Sequence, residues 1–315
     1  MSSIGGYFGL EINESEEFYK EAIRLNSGRN ALEYIFKIKE YKKIFIPFFT
    51  CDVLLEPIKK LGLEYEFYYI DNSLEPIFDF ESIKKSDVFL YTNYFGLKDV
   101  FINKLVLKCT NLIIDNAQSF FSKPKEGVDT FYSPRKFFGV SDGAYLFTNS
   151  TIEIKLNKDV SFERFSHLLK RIDLSAEEGY EDYSKNDKNL KLNPILEMSN
   201  LTQKLLSSID YHQVANKRIQ NFNFLHSQLQ KLNKLSFSLN EFQVPMVYPF
   251  WTDDKSLKPK LLKSKVYCAT YWPNVLNWVS EDCLEYKLSS EVIFIPIDQR
   301  YNELTMKMIL NLILE

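Results

Sequence analysis

Short apolar runs alternate with stretches of helical spacing in the first half of the chain. The runs indicate buried strands, because each is short and stops at a polar or small residue; they cover residues 43–47, 63–70, 87–92, 111–115 and 144–148. Apolar side chains three or four positions apart predict helices over residues 14–25, 31–40, 52–61 and 100–109. Strands that alternate with helices predict βαβ units and a mainly parallel sheet flanked by helices.

The second half has a different pattern. Residues 174–193 are polar and irregular, which favours a mobile loop or an arm that reaches a partner. Residues 194–232 predict a long helical stretch broken near Asp210. The remaining predicted elements are strands at 244–248, 266–270 and 292–295 and helices at 256–264 and 303–314. The predicted fold class is therefore α/β, with a large domain over residues 1–232 and a small C-terminal α+β domain over residues 233–315.

Composition and charge exclude several classes of partner. The 315 residues carry 39 Lys and Arg against 42 Asp and Glu, so nucleic acid is not expected. The four cysteines form no C-x-x-C pair and the three histidines are scattered, so we expect no metal site and free thiols in a reducing cytoplasm. No secretion leader and no apolar run of roughly 20 residues are present, so no membrane partner is expected. Neither G-x-G-x-x-G nor a Walker A sequence occurs.

Polar side chains fall where the predicted strands end. They are Thr50, Asn93, Asp115 and Gln118. In parallel α/β sheets, ligands bind beyond the carboxyl ends of the strands. We therefore expect a site at this edge of the sheet.

Lys136 has aromatic residues on both sides and glycines close behind, within FYSPRKFFGVSDG over residues 131–143. This setting can hold a reactive amine in a pocket, although a structural lysine in a loop is the alternative. Upstream, the turn at Ser27, Gly28 and Arg29 leads into a helix. The unpaired N–H groups of a helix start suit a phosphate, but an ordinary capped helix has the same pattern. Arg29 could bind a charge or face solvent.

These groups together match the needs of pyridoxal phosphate. Its aldehyde condenses with a lysine, its ring nitrogen pairs with a carboxylate, and its phosphate needs N–H groups and hydroxyls. Lys136, Asp115 and the turn at residues 27–29 supply them. Gln118 could hydrogen-bond a ring oxygen, and Ser133 could reach the phosphate.

Along almost its whole length the chain resembles the DegT/StrS-type sugar aminotransferases, which belong to the aspartate-aminotransferase fold group (fold type I). The segments that carry the resemblance are LNSGRNAL at 25–32, IPFFTC at 46–51, YFG at 94–96, IIDNAQS at 113–119, SPRK at 133–136 with Asp142-Gly143, and IPIDQRY at 295–301.

The resemblance implies a role for each matched residue. Lys136 would bond the cofactor and then move protons, Asp115 would pair with the ring nitrogen, and Gln118 would contact the ring hydroxyl. The residues expected at the cofactor phosphate are Ser27, Gly28, Arg29, Ser133 and, from the neighbouring subunit, Asn193. A homodimer with shared active sites is therefore expected. Tyr94, Phe95 and Arg135 are candidate substrate contacts.

Three positions depart from the family pattern. Cys51, expected at the cofactor, stands where the family often has an aromatic residue stacked on the ring. Phe131, rather than Ser133, aligns without gaps with the phosphate-binding serine. Arg135 could help to bind the phosphate, repel the charge of Lys136, or pack outward.

The expected function is transfer of an amino group from an amino acid such as glutamate to a nucleotide-linked keto sugar, for a polysaccharide or other glycan. One alternative is a PLP-type sugar dehydratase, against which Lys136 argues because those enzymes typically have histidine there. Another is a catalytically degenerate scaffold or partner protein of the same fold, which Cys51 and the few glycines after Lys136 favour. A nucleotide-sugar-binding module without the cofactor would leave the pairing of Asp115 with Lys136 unexplained.

Overall fold

A mixed sheet of eight strands forms the centre of the protein in a computed structural model that describes residues 4–13, 15–240 and 243–315. The strands are β1 (Ile23–Leu25), β2 (Lys43–Pro47), β3 (Glu64–Ile70), β4 (Pro76–Ile77), β5 (Asp87–Thr92), β6 (Leu112–Asn116), β7 (Asp129–Tyr132), β8 (Ala144–Phe147), β9 (Val247–Phe250) and β10 (Ile293–Pro296). The helices are α1 (Gly28–Ile38), α2 (Leu55–Lys60), α3 (Asp99–Leu105), α4 (Ser166–Asp173), α5 (Ala176–Asn189), α6 (Asn200–Ser207), α7 (Tyr211–Leu229), α8 (Leu257–Lys263), α9 (Leu284–Glu291) and α10 (Glu303–Leu314).

The strand order across the sheet is β1-β8-β7-β6-β5-β2-β3-β4. Strands β3, β2, β5, β6 and β7 pair in parallel. Strand β8 runs antiparallel to both β7 and β1, and β4 is an antiparallel edge strand on β3. The mainly parallel sheet flanked by helices is therefore confirmed, and its parallel core places the ends of β2, β5, β6 and β7 at one edge.

Alternate residues of the central strands enter two different hydrophobic cores. Ile46, Leu90 and Ile113 pack on the face covered by α1 and α2. Their chain neighbours Phe89 and Ile114 pack on the opposite face. Side chains of a strand alternate between faces, so a strand covered on both sides is apolar throughout. This explains the unbroken apolar runs in the sequence.

Two predicted elements of the large domain, residues 1–232, are wrong. Residues 15–22 form no helix, residues 23–25 form β1, and Glu14 lies outside the described residues. The polar stretch 174–193, predicted as a loop or arm, contains the fourteen-residue helix α5. Ser175 caps it by accepting a hydrogen bond from the Glu178 backbone N–H, and Glu177 and Glu178 lie in its first turn, where acidic side chains are favourable. The sequence shows no apolar periodicity over α5, because its only buried residues are Gly179 and Asn186 and neither has an apolar side chain.

Elements of the C-terminal part follow the sequence more closely. Helix α10 has the predicted bounds, and the predicted break near Asp210 is confirmed because Asp210 caps α7 through the backbone N–H of Gln213. Strands β9 and β10 form an antiparallel pair. The predicted strand at 266–270 is absent; Ala269 alone forms a bridge, to Phe294. One hydrophobic core runs across the predicted boundary between residues 232 and 233, which stays a prediction.

No helix within the described residues is long and apolar enough to cross a membrane.

Candidate active site

A cavity of about 150 Å³ lies at the carboxyl ends of β2, β5, β6 and β7. It brings together the residues Ser27, Gly28, Arg29, Thr50, Cys51, Thr92, Asp115, Gln118, Phe131, Ser133, Arg135 and Lys136, with Asp187, Leu190 and Trp272 from distant parts of the chain. Most of the predicted cofactor-binding residues therefore line one cavity.

The register of the sheet places Asp115 in this cavity. On β6 it is opposite Thr92 of β5 and Phe131 of β7, so the three lie side by side. The Asp115 carboxylate is 6% exposed and accepts a hydrogen bond of 2.8 Å from the Ala117 backbone N–H. Burial raises the pKa of Asp115, while the charge of Lys136 and the Ala117 N–H lower it, and burial is the larger effect. A buried carboxylate of this kind is stabilised by a cationic group on a ligand.

Two polar atoms in the same cavity have no hydrogen-bond partner within the described part of the chain. They are the Gln118 Nε2 and the Thr92 Oγ1, both buried. The Gln118 side chain is held at its other end, where Oε1 accepts a hydrogen bond of 3.3 Å from the Phe95 backbone N–H. A buried polar atom without a partner costs about 1–3 kcal/mol. An acceptor on a bound ligand would remove that cost for Gln118.

The start of α1 also lines the cavity. The Ser27 hydroxyl caps the helix by accepting a hydrogen bond of 3.2 Å from the Asn30 backbone N–H. A Cβ added at Gly28 would lie 3.7 Å from the Phe131 ring and 3.9 Å from the Ser133 Cβ, so the helix start packs against the end of β7. The helix start and Ser133 thus line the same part of the cavity, and the free N–H groups of a helix start suit a phosphate.

Arg29 is not available to the cavity as a charge. Its guanidinium binds the Glu56 carboxylate at 2.8 Å and is 10% exposed. The sequence left Arg29 as a charge partner for the phosphate or a residue facing solvent, and the structure shows neither, because its charge is paired with Glu56. Arg29 can still offer its backbone N–H in the first turn of α1.

Lys136 lies at the mouth of the cavity. It ends the short 3₁₀ helix Pro134–Lys136 and is exposed, whereas Phe137 and Phe138 are buried in the core. Lys136 therefore opens on a cavity, as an amine held in a pocket would, but it is not enclosed, because its aromatic neighbours are buried in the core.

Arg135 packs across to α5. Its Nη1 and Nη2 donate hydrogen bonds of 3.2 and 3.3 Å to the Asp187 Oδ1, and its side chain is 17% exposed. Arg135 and Asp187 both line the cavity, so this ion pair connects the segment that carries Lys136 to α5, the helix that the sequence did not predict.

Cys51 and Ser133 line this cavity, whereas Asn193 does not. Cys51 precedes the 3₁₀ helix Asp52–Leu54, and burial raises the pKa of its thiol, so the thiol stays protonated at neutral pH. The Asn193 carbonyl accepts a hydrogen bond of 2.9 Å from the Asn30 side chain, beside α1.

Three residues named from the sequence belong to the core. Tyr94 and Phe95 are at most 1% exposed and line neither this cavity nor its neighbours, which corrects their prediction as substrate contacts. The Tyr94 hydroxyl donates to the Phe49 carbonyl at 3.0 Å. The Asn93 amide is held by the side chains of Asp99 and Asn116, so this strand-end polar residue is structural.

Sequence reasoning missed several lining residues, among them Thr92, Asp187, Leu190 and Trp272. Thr92 ends β5 beside Asp115, and its position one residue before Asn93 was the available signal. Asp187 and Leu190 come from α5 and Trp272 from the C-terminal part, and no local pattern connects them to the sheet edge.

Comparisons with known proteins identify the fold. No protein-family model matches the chain, and no curated protein matches it. The chain is similar to the solved structure of the sugar aminotransferase CalS13 from Micromonospora echinospora, with a TM-score of 0.63, 12% identity, and coverage of 93% of this chain and 86% of that one. It is similar to a DegT DnrJ EryC1 StrS aminotransferase from Brucella abortus, with a TM-score of 0.60, 15% identity, and coverage of 93% and 84%.

NtdA from Bacillus subtilis, solved with bound cofactor PMP, is similar with a TM-score of 0.63, 15% identity, and coverage of 93% and 73%. The protein therefore has the fold of the PLP-dependent sugar aminotransferases. At this level of identity the likeness establishes the architecture, and the chemistry must be argued from the residues of the site.

Proposed function

We propose that the protein is a PLP-dependent aminotransferase that acts on a nucleotide-linked keto sugar, with an amino acid such as glutamate as donor, in polysaccharide or other glycan biosynthesis. One observation carries the proposal: the buried Asp115 carboxylate, the unpartnered Gln118 Nε2 and Lys136 line a single cavity with the start of α1. These groups correspond in kind to the partners that the ring nitrogen, ring oxygen, aldehyde and phosphate of pyridoxal phosphate need.

Each residue has a task that follows from its position. Asp115, held in its orientation by the Ala117 N–H, would keep the ring nitrogen protonated. Gln118 would donate its free Nε2–H to the ring oxygen. The free N–H groups at the start of α1, with the Ser133 hydroxyl, would bind the phosphate. When bound, pyridoxal phosphate supplies an electron sink that stabilises negative charge at the substrate carbon.

Lys136 would bind the cofactor and exchange protons with the substrate. Its exposed amine opens both on the cofactor cavity and on a neighbouring cavity of about 430 Å³. An amine in this position can take a proton from one atom and return it to another within the same site. The larger cavity gives a substrate access to it.

The proposal is tested by cofactor trapping. The purified protein with added pyridoxal phosphate should absorb in the visible, and borohydride should attach the cofactor to one peptide, that containing Lys136. The variant Lys136→Ala should lose trapping, whereas Lys123→Ala, a lysine outside the cavity, should retain it. A protein that takes up no pyridoxal phosphate would contradict the proposal.

The scaffold alternative has one observation in its favour, Cys51 in place of a stacking aromatic residue. Adding glutamate to the loaded protein separates the two functions. Conversion of the cofactor to its pyridoxamine form supports the aminotransferase, and an unchanged spectrum supports the scaffold.

We also propose a homodimer in the cytoplasm, with Asn193 directed toward the partner subunit's cofactor. Large apolar side chains are exposed on α4 and the residue that follows it, namely Leu169, Ile172 and Leu174, at 59%, 80% and 64%. A group of exposed apolar residues supports a protein interface, and four free cysteines support a reducing compartment. Light scattering should give twice the chain mass, and an active monomer would contradict shared sites.

A further inference from the structure

The cavity of about 430 Å³ beside the cofactor cavity is strongly cationic. Its charged lining residues are Arg135, Lys136, Arg171, Arg218, Arg300 and Asp298, five cations and one carboxylate. The chain as a whole has a net charge of −3, so this concentration of positive charge is local. A concave surface with one sign of charge attracts ligands of the opposite sign.

The cations differ in how far they are already neutralised. Arg135 binds Asp187, and Arg300 binds Asp298 through Nε at 2.7 Å and Nη2 at 2.8 Å. Arg171 is exposed and has no ion-pair or hydrogen-bond partner among the residues that the structure describes. Its guanidinium therefore has all its donors available to a ligand.

A second unpartnered group lies one turn before Arg171. His167 is on the same face of α4, because the two residues are four positions apart, and both line the cavity. His167 is 8% exposed, and its Nδ1 has no hydrogen-bond partner in the described part of the chain. Burial, and then the charge of Arg135, lower the pKa of His167, so the ring is neutral at pH 7 and can accept or donate one hydrogen bond. The wall formed by α4 is thus built for a polar ligand.

The cationic cavity continues into an outer cavity of about 660 Å³. Arg171, Ala176 and Arg300 line both, so the two arginines stand at the passage between them. The outer cavity has aromatic and apolar walls, including Tyr267, Tyr301 and Met308. A ligand that fills both cavities would have a polar group near Lys136, an anionic group at the arginines, and a planar or apolar group beyond them.

We propose that Arg171 and Arg300 bind the diphosphate of the acceptor substrate and determine its specificity, with the nucleoside in the outer cavity. This inference rests on the proposed function, because it is the aminotransferase reaction that requires the sugar to reach Lys136. A phosphate group is recognised by the paired N–H donors of arginine. A dicarboxylate amino donor is the other anion that the cavity could admit, and it is too short to use the outer cavity.

The test is a calorimetric titration of the protein with UDP, inorganic pyrophosphate and glutarate, in the presence of excess pyridoxal phosphate so that the cofactor phosphate seat is filled. Wild-type protein should bind UDP and pyrophosphate. Arg171→Gln should raise the Kd of UDP and the Kd of pyrophosphate by about tenfold or more, because a charge-assisted hydrogen bond is lost. The matched control is Lys170→Gln, which removes the same charge from the same turn but lies outside the cationic and outer cavities. It should change neither Kd by more than about twofold.

A second variant tests the outer cavity. Tyr267→Ala should weaken the binding of UDP and leave the binding of pyrophosphate unchanged, because only the nucleoside would reach this side chain. Both Arg171 and Tyr267 are exposed, so these variants should fold, which circular dichroism would verify.

Three results would overturn the inference: no binding of UDP or pyrophosphate to the wild type, equal losses in Arg171→Gln and Lys170→Gln, or a loss of glutarate binding alone in Arg171→Gln. These outcomes are separate from the failure of the proposed function. A protein that takes up no pyridoxal phosphate contradicts the aminotransferase, while anion binding that depends on Arg171 can still be measured on it.

Discussion

Asp115 is buried at the end of a strand although no basic side chain forms an ion pair with it within the described residues. Burial raises its pKa, which means that the charged form of the carboxylate is held in the fold at a cost in free energy. The charge of Lys136 lowers the pKa of Asp115, but burial is the larger effect. A cofactor with a protonated ring nitrogen would be the compensating charge.

Replacing Asp115 with Asn should therefore affect the loaded enzyme more than the fold. We expect kcat to fall by about two orders of magnitude, because breaking a buried charge pair costs roughly 3 kcal/mol. Cofactor affinity, measured by absorbance titration, should fall with it. The control Asp99→Asn changes a carboxylate at the same edge of the sheet but outside the cavity, and it should leave cofactor affinity unchanged; equal effects of the two variants would contradict the role of Asp115.

Arg218 is a second residue whose environment is unusual. It is 2% exposed, and it donates hydrogen bonds of 3.0 Å to the Gln299 side chain, 3.0 Å to the Met246 carbonyl and 3.4 Å to the Phe137 carbonyl. Burial lowers its pKa to about 10, so it remains charged at neutral pH. It ties α7 and the C-terminal part to the segment that follows Lys136.

Arg218→Met should lower the free energy of unfolding by about 3 kcal/mol, because it leaves buried acceptors without donors. Urea unfolding followed by fluorescence measures this. Arg171→Met changes an exposed arginine that has no partner among the described residues, and it should change the free energy of unfolding by less than about 0.5 kcal/mol. Similar losses in both variants would show that Arg218 is not a structural link.

At the scale of elements, α4 and α5 form a closely packed pair. A Cβ added at Gly179 would lie 2.8 Å from the His167 carbonyl oxygen, so this glycine permits the approach of the two backbones. The pair carries Arg171 and His167 on one side and Asp187, the partner of Arg135, on the other. The packing of α4 on α5 therefore determines the shape of the cofactor cavity and of the cationic cavity beside it.

Gly179→Ala should destabilise the protein by about 1–2 kcal/mol. Alanine has the higher helix propensity, by about 1 kcal/mol, but a contact of 2.8 Å with backbone forces α4 and α5 apart. Ser184→Ala, a substitution in the same helix that keeps the pair intact, should be neutral or slightly stabilising. Thermal unfolding distinguishes them, and a gain in stability from Gly179→Ala would contradict the close approach.

The buried carboxylate of Asp142 connects the segment before β8 to α6. Asp142 is fully buried, accepts a hydrogen bond from the Thr202 hydroxyl, and contacts the Arg164 Nη2 at 2.5 Å. Arg164 also binds Asp159 at 2.6 Å, so two carboxylates share one guanidinium. Burial is the main reason that the pKa of Asp142 is raised to about 6; Thr202 and Arg164 lower it, and Asp159 raises it.

This raised pKa predicts the sign of a pH effect. Because the folded state holds the proton more tightly than the unfolded state, Asp142 contributes stability at pH below about 4 that is lost as pH rises to about 6 and above. Urea unfolding should show the stability of wild type relative to Asp142→Asn falling by about 2 kcal/mol between pH 4.5 and pH 7.5. Thr202→Val removes the hydroxyl that lowers this pKa and should enlarge the effect; a constant difference across this range would contradict it.

At the scale of the whole molecule, the cofactor cavity is formed by four parts of the chain that are distant in sequence. Its walls come from the sheet edge, the start of α1, helix α5 and Trp272 of the C-terminal part. A ligand that touches all of them binds only the folded chain, and it stabilises the fold by mass action.

Pyridoxal phosphate should therefore raise the melting temperature by several degrees. At about one hundred times its Kd it adds roughly 2.7 kcal/mol. Differential scanning fluorimetry measures the shift, and pyridoxal, which lacks the phosphate, should give a smaller one because the start of α1 is left without its anion. Lys136→Ala should also reduce the shift. Equal shifts with pyridoxal and pyridoxal phosphate would contradict the proposed phosphate seat.

The sequence alone determined the parallel sheet, the position of Asp115 at the end of β6, and the helix start at residues 27–29. These follow from local rules: strands buried on both faces are apolar throughout, and polar residues mark where they end. The exposure of Lys136 could not be predicted in this way, because it depends on the packing of its aromatic neighbours Phe137 and Phe138 into the core.

Only the tertiary structure decided which groups face the cavity and which are used within the fold. Arg29 binds Glu56, Arg135 binds Asp187, and Tyr94 and Phe95 are buried, although all four looked available in the sequence. Helix α5 is held by its cap and by packing on α4, neither of which produces an apolar pattern. The physical reason is that spacing along a chain records local periodicity, whereas hydrogen bonds and ion pairs between distant segments depend on distances that exist only after the chain has folded.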